Sequence, residues 1–498
     1  MTSSFKKLLH LGLEADLRRL NPWWADPQAA AAMPEIKRWA FEPALRRLKE
    51  GLAAITLIRG PRQVGKSTML LQMVEQLLAE GVNPKRIFYV QFDELPLLKN
   101  DPEPILRLAD WYEQTVLHST FNQETAKGHP VYWLLDEVQN LSDWHVQLKF
   151  LVDANKLRVM VTGSSSLRIE RGRDSLAGRI HSLDIGTLRL WEIAEWNHLG
   201  LLKPLQTENN WQNWLSPDFW REVDATGKKH HSIRDRAFAV LSARGSYPIA
   251  HVKPSIPWAE MAEQLVETVI QRVLQHDAPL GKRPRKKNRA LFEEVCRLAF
   301  RYAGQSPRPD FFAEQVNRSI QANTNPLQVR RHLDILHDTL LVRLVDPLEF
   351  RIKRTLHLAK ICLCDHALRA AWLGEIIPLE SSALDQQPRL TDLAGRLVES
   401  LVGYYLASLT GLSVAHLPSS LKQPEIDFIL TIGYRRIPVE VKYQRRIDPI
   451  RDTHALRLYL DNPHHEAPLG LLITREDHVT VPDARIIPIA LKSLLLVR

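Results

Sequence analysis

The stretch of sequence that decides the fold reads Gly60-Pro61-Arg62-Gln63-Val64-Gly65-Lys66-Ser67-Thr68. It matches the pattern G-x-x-x-x-G-K-[ST], follows an apolar segment and opens a helical pattern. Glycines let backbone N–H groups turn inward around phosphate oxygens, and a helix start adds the positive end of its dipole. We therefore expect these nine residues to bind a nucleotide such as ATP, with Lys66 on the β and γ phosphates and Ser67 as a ligand of Mg²⁺.

Apolar segments and helical patterns alternate on both sides of this loop. The predicted strands are residues 53–58, 87–92, 131–135, 157–161 and a part of 180–190. Helices are predicted between them, for example at 68–79 and 144–155. This alternation predicts an α/β fold, with a parallel sheet that has helices on both faces.

An acidic pair, Asp136 and Glu137, follows the third predicted strand. We expect Asp136 to hold Mg²⁺ through water or through Ser67, and Glu137 to polarise the attacking water as the hydrolytic base. The next strand ends in polar residues, of which Thr162 or Ser164 is expected to lie between the γ-phosphate and the water. An ordinary Gly/Ser turn is the alternative for each of these two residues.

These motifs resemble a prokaryotic family of AAA+/STAND-like P-loop ATPases. The resemblance rests on the stretches 60–68, 134–139 (Leu-Leu-Asp-Glu-Val-Gln), 162–166 (Thr-Gly-Ser-Ser-Ser) and 176–179 (Leu-Ala-Gly-Arg). It implies that Arg179 contacts nucleotide as an arginine finger or couples domains, with an exposed surface arginine as the alternative. The family has a G-G-x-P motif where this chain has Gly245-Ser246-Tyr247-Pro248. Since serine accepts a positive φ poorly, the role of that loop is open.

A second helical region lies in the middle of the chain. Residues 309–318 are predicted as one helix and 327–337 as the next, with Asn325 and Pro326 as N-cap and first-turn proline. A strand is predicted at 340–345. The family resembled here carries a winged helix at this place. The second helix would expose three side chains to a DNA groove, namely Gln328, Arg330 and Arg331. The alternative is an internal role that couples the ATP state to the rest of the chain.

The C-terminal part has the Asp…Glu-x-Lys pattern of the restriction-endonuclease fold, PD-(D/E)xK. Asp427 opens one apolar strand, and Glu440 and Lys442 lie at the end of the next. Two carboxylates on adjacent strands can share a Mg²⁺ ion, and Glu399 matches the helix acid of this fold. Lys442 is expected to orient the nucleophile or to neutralise developing charge. A nuclease fold kept only for binding is the alternative.

Composition restricts the class of protein. The 498 residues carry a formal net charge of +9, which permits a polyanion partner such as DNA. Candidate phosphate contacts in the C-terminal part are Arg435, Arg436 and Arg445, and residues 282–289 form a basic run. Three cysteines exclude a disulfide scaffold, and Cys362 and Cys364 are predicted to be buried apolar residues. No apolar run reaches about 18 residues, so we expect no membrane partner and a cytoplasmic protein.

Five segments are predicted along the chain: a helical segment at 1–50, an ATPase core at 51–200, an insertion and helical lid at 201–280, a winged helix at 281–378 and an endonuclease-like domain at 379–498. Within the lid, residues 203–232 are predicted as an insertion or long loop. The predicted function is a Mg²⁺-dependent, oligomeric ATPase that controls a DNA-binding and DNA-cleaving domain, and the resemblance adds defence against mobile DNA. Two alternatives are a scaffold ATPase with an inactive nuclease fold that acts through a protein partner, and a DNA-remodelling loader.

Overall fold

The structure is a computed structural model that describes residues 11–30, 32–163, 176–205, 210–277, 286–348, 359–419 and 424–498. The chain divides into two compact units, Met1–Ile185 and Gly186–Arg498. Their boundary lies inside the predicted ATPase core at 51–200, and the described part of 1–50 belongs to the first unit. The predicted segments at 201–280, 281–378 and 379–498 all belong to the second unit. Ser164 and residues 282–285 of the basic run lie outside the described residues.

A parallel sheet forms the centre of the first unit. Its described strands are β1 (Ile55–Arg59), β2 (Ile87–Gln91), β3 (Tyr132–Asp136), β4 (Arg158–Gly163) and β5 (Ile180–Asp184). They pair in the order β2-β3-β4-β1-β5, and every pairing is parallel. The five predicted strands and the parallel sheet are confirmed. β1 and β3 are parallel, and only β4 lies between them. The loop after β1 and the acidic pair after β3 therefore lie at the same end of the sheet, where the strands have their carboxyl ends.

Helices cover the sheet of the first unit. They are α1 (Leu11–Leu20), α2 (Phe41–Glu50), α3 (Lys66–Ala79), α4 (Pro104–Tyr112), α5 (Phe121–Ala126) and α6 (Trp144–Ala154). β1 and β3 are buried along their whole length, as expected of strands covered on both faces. The side chain of Asn21 pairs with the outer edge of β2, donating to Tyr89 O at 2.9 Å and accepting from Tyr89 N at 2.7 Å. This contact occupies backbone groups that an edge strand otherwise leaves unpaired.

The second unit contains a helical part and two sheets. Its described helices are α7 (Leu190–Trp196), α8 (Pro217–Lys229), α9 (His231–Arg244), α10 (Ile249–Val252), α11 (Trp258–Leu265), α12 (Lys286–Arg301), α13 (Pro309–Ile320), α14 (Pro326–Asp338), α15 (His366–Leu373), α16 (Ser381–Asp385), α17 (Thr391–Ala407), α18 (His454–Leu460) and α19 (Leu491–Leu494). β6 (Val342–Val345) and β7 (Lys360–Leu363) pair antiparallel. The predicted helices at 309–318 and 327–337 and the strand at 340–345 correspond to α13, α14 and β6. Asn325 caps α14 as predicted, since its Oδ1 accepts the N–H of Gln328 at 2.9 Å.

The larger sheet of the second unit is mixed. Its described strands are β8 (Ser413–Leu417), β9 (Ile426–Ile432), β10 (Arg435–Lys442), β11 (Gly470–Thr474) and β12 (Ile486–Ala490). They lie in the order β12-β11-β10-β9-β8, with antiparallel pairing from β8 to β10 and parallel pairing from β10 to β12. The strands predicted near the C-terminal carboxylates correspond to β9 and β10. Among the described helices, none has both the length and the apolar character needed to cross a bilayer.

The prediction of an insertion or long loop at 203–232 is wrong in part, because α8 occupies half of it. Ser216 caps this helix, and Trp220, Val223 and Gly227 repeat at helical spacing and are buried. A Cβ on Gly227 would lie 1.9 Å from Ser493 Oγ. The buried face of α8 thus includes a tryptophan and a glycine in close contact with Ser493. Because the segment is mostly polar, its composition does not indicate this helix.

The loop at residues 245–248 needs only one glycine. The positive φ falls on Gly245, at 75°, and Ser246 lies outside the left-handed region. Ser246 instead uses its polar groups: its N–H donates to Asp365 Oδ2 at 2.6 Å and its hydroxyl to Thr187 Oγ1 at 2.9 Å. Serine in place of the second glycine therefore causes no strain, and its hydroxyl adds a hydrogen bond to Thr187 that a glycine could not make.

Candidate functional site

The phosphate-binding loop, residues 60–65, connects β1 to α3. Gly60 has no room for a side chain, because a Cβ there would lie 2.3 Å from the carbonyl oxygen of Ile185. Gly65 has a φ of 92°, which glycine adopts without strain, and directly precedes α3. The Lys66 ammonium is buried and donates to two carbonyl oxygens of the loop, at 3.0 and 2.9 Å. The loop geometry is that of an anion-binding turn at a helix N-terminus.

Asp136 ends β3 and is fully buried. Its carboxylate accepts hydrogen bonds from the hydroxyl groups of Ser67, Thr162 and Tyr89, the last at 3.2 Å. Burial raises the pKa of Asp136, while the hydroxyls of Ser67 and Thr162 act in the opposite direction. A carboxylate beside a serine hydroxyl supplies the oxygen ligands that Mg²⁺ takes, so this donor set fits the metal.

Thr162, at the end of β4, contacts both members of the acidic pair. Its Oγ1 accepts the N–H of Glu137 at 3.1 Å and donates to Asp136. Glu137 has a φ of 56° and is partly exposed, and its carboxylate accepts a hydrogen bond from the side chain of Gln139. The structure thus joins Thr162 to the acidic pair, and its place between the γ-phosphate and the attacking water stays a prediction.

Three residues of this site were missed by sequence reasoning. Arg38 is 4% exposed, and its guanidinium donates to the carbonyl oxygen of Val64 in the loop. Tyr89, on β2, donates to Asp136, and Gln139 contacts Glu137. Gln139 lies inside a recognised motif, but Arg38 and Tyr89 have no local pattern that points to the loop.

Arg179 lies at the amino end of β5, whereas the phosphate-binding loop leaves the carboxyl end of β1. The strands are parallel, with Ile55 opposite Ile180, so about 13 Å of strand separates the two ends. Arg179 forms a bidentate ion pair with Asp153, at 2.5 and 2.9 Å. It therefore does not reach a nucleotide bound at the loop of its own chain. A contact between Arg179 and a nucleotide would need a second copy of the chain.

Comparison with known families identifies the region around the loop. Residues 53–194 match the family described as "AAA domain". The match supports a P-loop ATPase domain of the AAA type in this part of the chain. The chain is also similar to the uncharacterized protein MJ1637 of Methanocaldococcus jannaschii, with 23% identity over 398 residues that cover 78% of this chain and 75% of MJ1637.

Solved structures give weaker likenesses. Domain III of the replication initiation protein DnaA from Thermotoga maritima is 15% identical, with 46% of this chain and 91% of that domain covered and a TM-score of 0.24. A DNA replication initiation factor is 13% identical, with coverage of 59% and 86% and a TM-score of 0.22. PCH-2 of C. elegans is 14% identical, with coverage of 45% and 60% and a TM-score of 0.22. With TM-scores this low, the three structures do not define the fold or the function of this chain.

The predicted C-terminal site residues converge outside the ATPase domain. Glu399 lies on α17, Asp427 on β9, and Glu440 with Lys442 on β10. The N–H of Val441 donates to Asp427 Oδ2 at 2.8 Å, and Lys442 Nζ donates to Glu440 Oε1 at 2.5 Å. Glu440 and Lys442 thus share one face of β10, as the alternation along a strand predicts.

A fifth residue, Lys360 on β7, lies in the same cluster and was missed by sequence reasoning. Its ammonium is fully buried, donates to Asp427 Oδ1 at 3.0 Å and to Glu399, and lies 3.4 Å from Glu425. It comes 67 residues before Asp427 in the chain, so no local spacing indicates the contact. The predicted boundary at 378/379 separates this lysine from the carboxylates that it contacts.

Burial and mutual charge shift the pKa values in this cluster. Burial opposes the charged ammonium of Lys360, but Asp427 and Glu399 raise its pKa above the ordinary value. Burial acts to raise the pKa of Asp427, but the Lys360 ammonium and the hydrogen bonds from Glu399 and from the N–H of Val441 together lower it. Burial and the nearby Asp427 raise the pKa of Glu399, and they raise that of Glu440 to about 8. Oε2 of Glu440 is buried and has no hydrogen-bond partner among the described residues.

The predicted DNA-contacting side chains differ in what they contact. Arg330, on α14, is paired with Asp334 at 2.8 Å and with Asp346 at 3.3 Å, whereas Gln328 and Arg331 are exposed on the same helix.

The three arginines predicted to contact phosphate in the C-terminal part lie at opposite ends of β10. Arg435 and Arg436 open β10, at the opposite end from Glu440 and Lys442, so these two predicted phosphate contacts lie away from the carboxylate cluster. Arg445 follows Lys442 at the site end of the strand and is exposed.

Proposed function

We propose that this chain is a Mg²⁺-dependent ATPase whose nucleotide cycle controls a restriction-endonuclease-like C-terminal domain that binds and cleaves DNA. The observation that carries the DNA-directed half is the convergence of Glu399, Asp427, Glu440 and Lys442 on α17, β9 and β10. A buried Glu440 oxygen without a partner among the described residues is what an incoming cation or water requires.

In the ATPase half, the phosphate-binding loop and the residues at the ends of β3 and β4 have different roles. Lys66 and the loop N–H groups bind the phosphates, and Glu137 accepts the proton of the attacking water. Thr162 fixes the backbone at Glu137 and the carboxylate of Asp136. Mg²⁺, when bound at Ser67 and Asp136, neutralises phosphate charge.

In the DNA-directed half, Asp427 and Glu440 would hold a divalent cation, and Lys442 would hold the nucleophile or stabilise developing negative charge. The arrangement of α12, α13 and α14 followed by the β6–β7 hairpin supports a winged helix that places α14 against DNA. Assembly into a homo-oligomer would bring Arg179 of one copy to a nucleotide on another. A cytoplasmic location and a defence role stay predictions from the sequence.

The test uses purified full-length protein, ATP and both supercoiled and linear DNA with Mg²⁺ or Mn²⁺. Lys66→Ala should abolish ATP binding, and Glu137→Gln should keep binding but lose hydrolysis. Asp427→Asn and Lys442→Met should both abolish cleavage while ATP hydrolysis persists. If wild-type protein cleaves no DNA with or without ATP, the nuclease half of the proposal is wrong.

A scaffold ATPase with an inactive nuclease fold is the second candidate, and one observation favours it. The Lys360 ammonium already occupies oxygens of Asp427 and Glu399 that a metal would need. DNA-stimulated ATP hydrolysis without any cleavage would instead indicate the third possibility, a DNA-remodelling loader. ATP hydrolysis that ignores DNA, in a protein that does not cleave, would favour the scaffold and its protein partner.

A further inference from the structure

The ammonium of Lys360 takes up space that a metal ion would use. One carboxylate oxygen from each of Glu399, Glu425 and Asp427 lies within 4.8 Å of the others, a spacing that could hold a metal ion. Lys360 Nζ contacts all three residues. It also lies 5.1 Å from the centre of the Phe428 ring, so an aromatic face covers a further side of the ammonium.

The backbone of β7 holds Lys360 in this position. β6 pairs along one edge of β7, and the N–H of Leu363 donates to Ser400 Oγ on α17 at 2.8 Å. At Gly403, also on α17, a Cβ would lie 2.4 Å from Cys362 Sγ, so the helix and the strand approach as closely as a glycine permits. The ammonium is therefore placed by packed backbone rather than by a mobile surface side chain.

We propose that Lys360 replaces one divalent cation of the carboxylate cluster, so that the C-terminal domain is a site for one metal ion rather than two. The inference rests on the proposed function, which makes these carboxylates metal ligands. A cation between Glu399 and Asp427 would have to displace an ammonium that is paired, buried and carried by a packed strand, and breaking such a pair is costly.

A single ion could instead be bound between Asp427 and Glu440. Glu440 follows Val439, which lies opposite Phe428, so Glu440 and Asp427 are neighbours across β9 and β10. Oε2 of Glu440 is buried without a partner in the described part of the chain, whereas Oε1 accepts from Lys442. A single cation bound by Asp427 and Glu440 would leave Lys360 where it is.

The experiment counts Mn²⁺ ions bound by the full-length chain without nucleotide, by equilibrium dialysis with electron paramagnetic resonance detection. Wild-type protein should bind one ion, and Lys360→Met should bind two. Addition of Glu399→Gln to Lys360→Met should remove the gained ion and keep the other, because Glu399 is a ligand of the gained ion alone. Lys492→Met is the matched control: it removes an ammonium that is paired with Asp235 and Asp477 outside the cluster, and it should keep the wild-type ion count.

Equal ion counts in folded wild type and Lys360→Met would overturn the inference. If Lys360→Met does not fold, wild-type protein decides the question: one bound ion upholds the inference, and two ions or none overturn it. A second readout is thermal stability, because Mn²⁺ should raise the melting temperature of Lys360→Met by several degrees more than that of wild type. None of these measurements uses DNA cleavage. A protein that does not cleave DNA would therefore refute the proposed nuclease activity, whereas the number of bound ions would still test the inference about Lys360.

Discussion

The hydroxyl oxygen of Thr162 accepts the backbone N–H of Glu137 at 3.1 Å. The same hydroxyl donates its hydrogen to Asp136, so one side chain on β4 fixes both acidic residues after β3. This pairing across two neighbouring strands connects the residue proposed to activate water with the residue proposed to hold the metal.

Thr162→Val should therefore slow ATP hydrolysis without preventing ATP binding. Valine keeps the shape but loses both hydrogen bonds, so Glu137 is no longer held and kcat should fall by roughly tenfold to a hundredfold. Steady-state hydrolysis and fluorescent-nucleotide binding measure the two effects. Thr162→Ser keeps the hydroxyl and should stay close to wild type. Equal activity of the valine and wild-type proteins would show that this contact does not position Glu137.

Arg38 should contribute to nucleotide affinity through the shape of the loop. Its buried guanidinium donates to the carbonyl oxygen of Val64, and a charged hydrogen bond of this kind is worth about 1.5–3 kcal/mol. Arg38→Met should raise the Kd for ATP about tenfold or more, as measured by titration calorimetry. Lys37→Met is the control, since Lys37 contacts the side chain of Gln76 on α3 and not the loop. The same loss in both variants would indicate a general effect on folding.

Local patterns were not sufficient for β7, β11 and β12, but they were sufficient for the five strands of the parallel sheet, the phosphate-binding loop and the C-terminal carboxylates. Each of these depends on residues close in sequence: glycines in one turn, an acidic pair at one strand end, or alternation along β10. Lys360 and Arg38 could not be found this way, because their partners lie 39 and 26 residues or more away. The chain must fold before such contacts exist, and a lone lysine at the start of an apolar strand gives no signal of them.

The loop after α9 should be sensitive to any side chain at Gly245. Its φ and ψ of 75° and −158° are open to glycine almost alone, and a Cβ would lie 2.3 Å from that of Ala367. Gly245→Ala should lower the free energy of unfolding by about 3 kcal/mol, measured by urea denaturation. Gly374 is the matched control: it has a φ of 69° in open space, so Gly374→Ala should cost only about 1–2 kcal/mol. Similar losses in both variants would show that the close contact at Gly245 relaxes.

His251 should make the stability of the second unit depend on pH. Its Nδ1 accepts from the side-chain amide of Asn197 at 2.9 Å, and its Nε2–H donates to the carbonyl oxygen of Gly245 at 3.0 Å, which is the pattern of the neutral ring. Burial lowers the pKa of His251 to about 4.

Between about pH 6.5 and 4 the unfolded chain therefore binds a proton that the folded chain does not, and stability should fall as the pH falls. His251→Gln keeps one donor and one acceptor without a titrating group, so its urea midpoint should fall less than that of wild type between pH 7 and pH 5. At pH 8 the two proteins should differ little. An identical loss in both proteins at pH 5 would assign the pH dependence to other groups.

Arg331 and Arg330 provide a test of DNA binding by α14. Arg331 is exposed, and no ion pair of it is found within the described ranges, whereas Arg330 is held by Asp334 and Asp346. If α14 faces a DNA groove, Arg331 is the side chain free to contact a phosphate. Arg331→Ala should weaken binding of a duplex by about 1 kcal/mol or more and reduce the slope of log K against log salt by about 1.

Arg330→Ala should change the salt slope less, because the charge of Arg330 is already balanced within the protein. Fluorescence anisotropy at several salt concentrations gives both slopes, with Arg318→Ala on α13 as a control, since Arg318 is paired with Glu314. If Arg331→Ala keeps the wild-type slope while the protein still binds DNA, α14 does not contact the phosphates. That result would favour the alternative role of this region, in which it couples the ATP state to the rest of the chain.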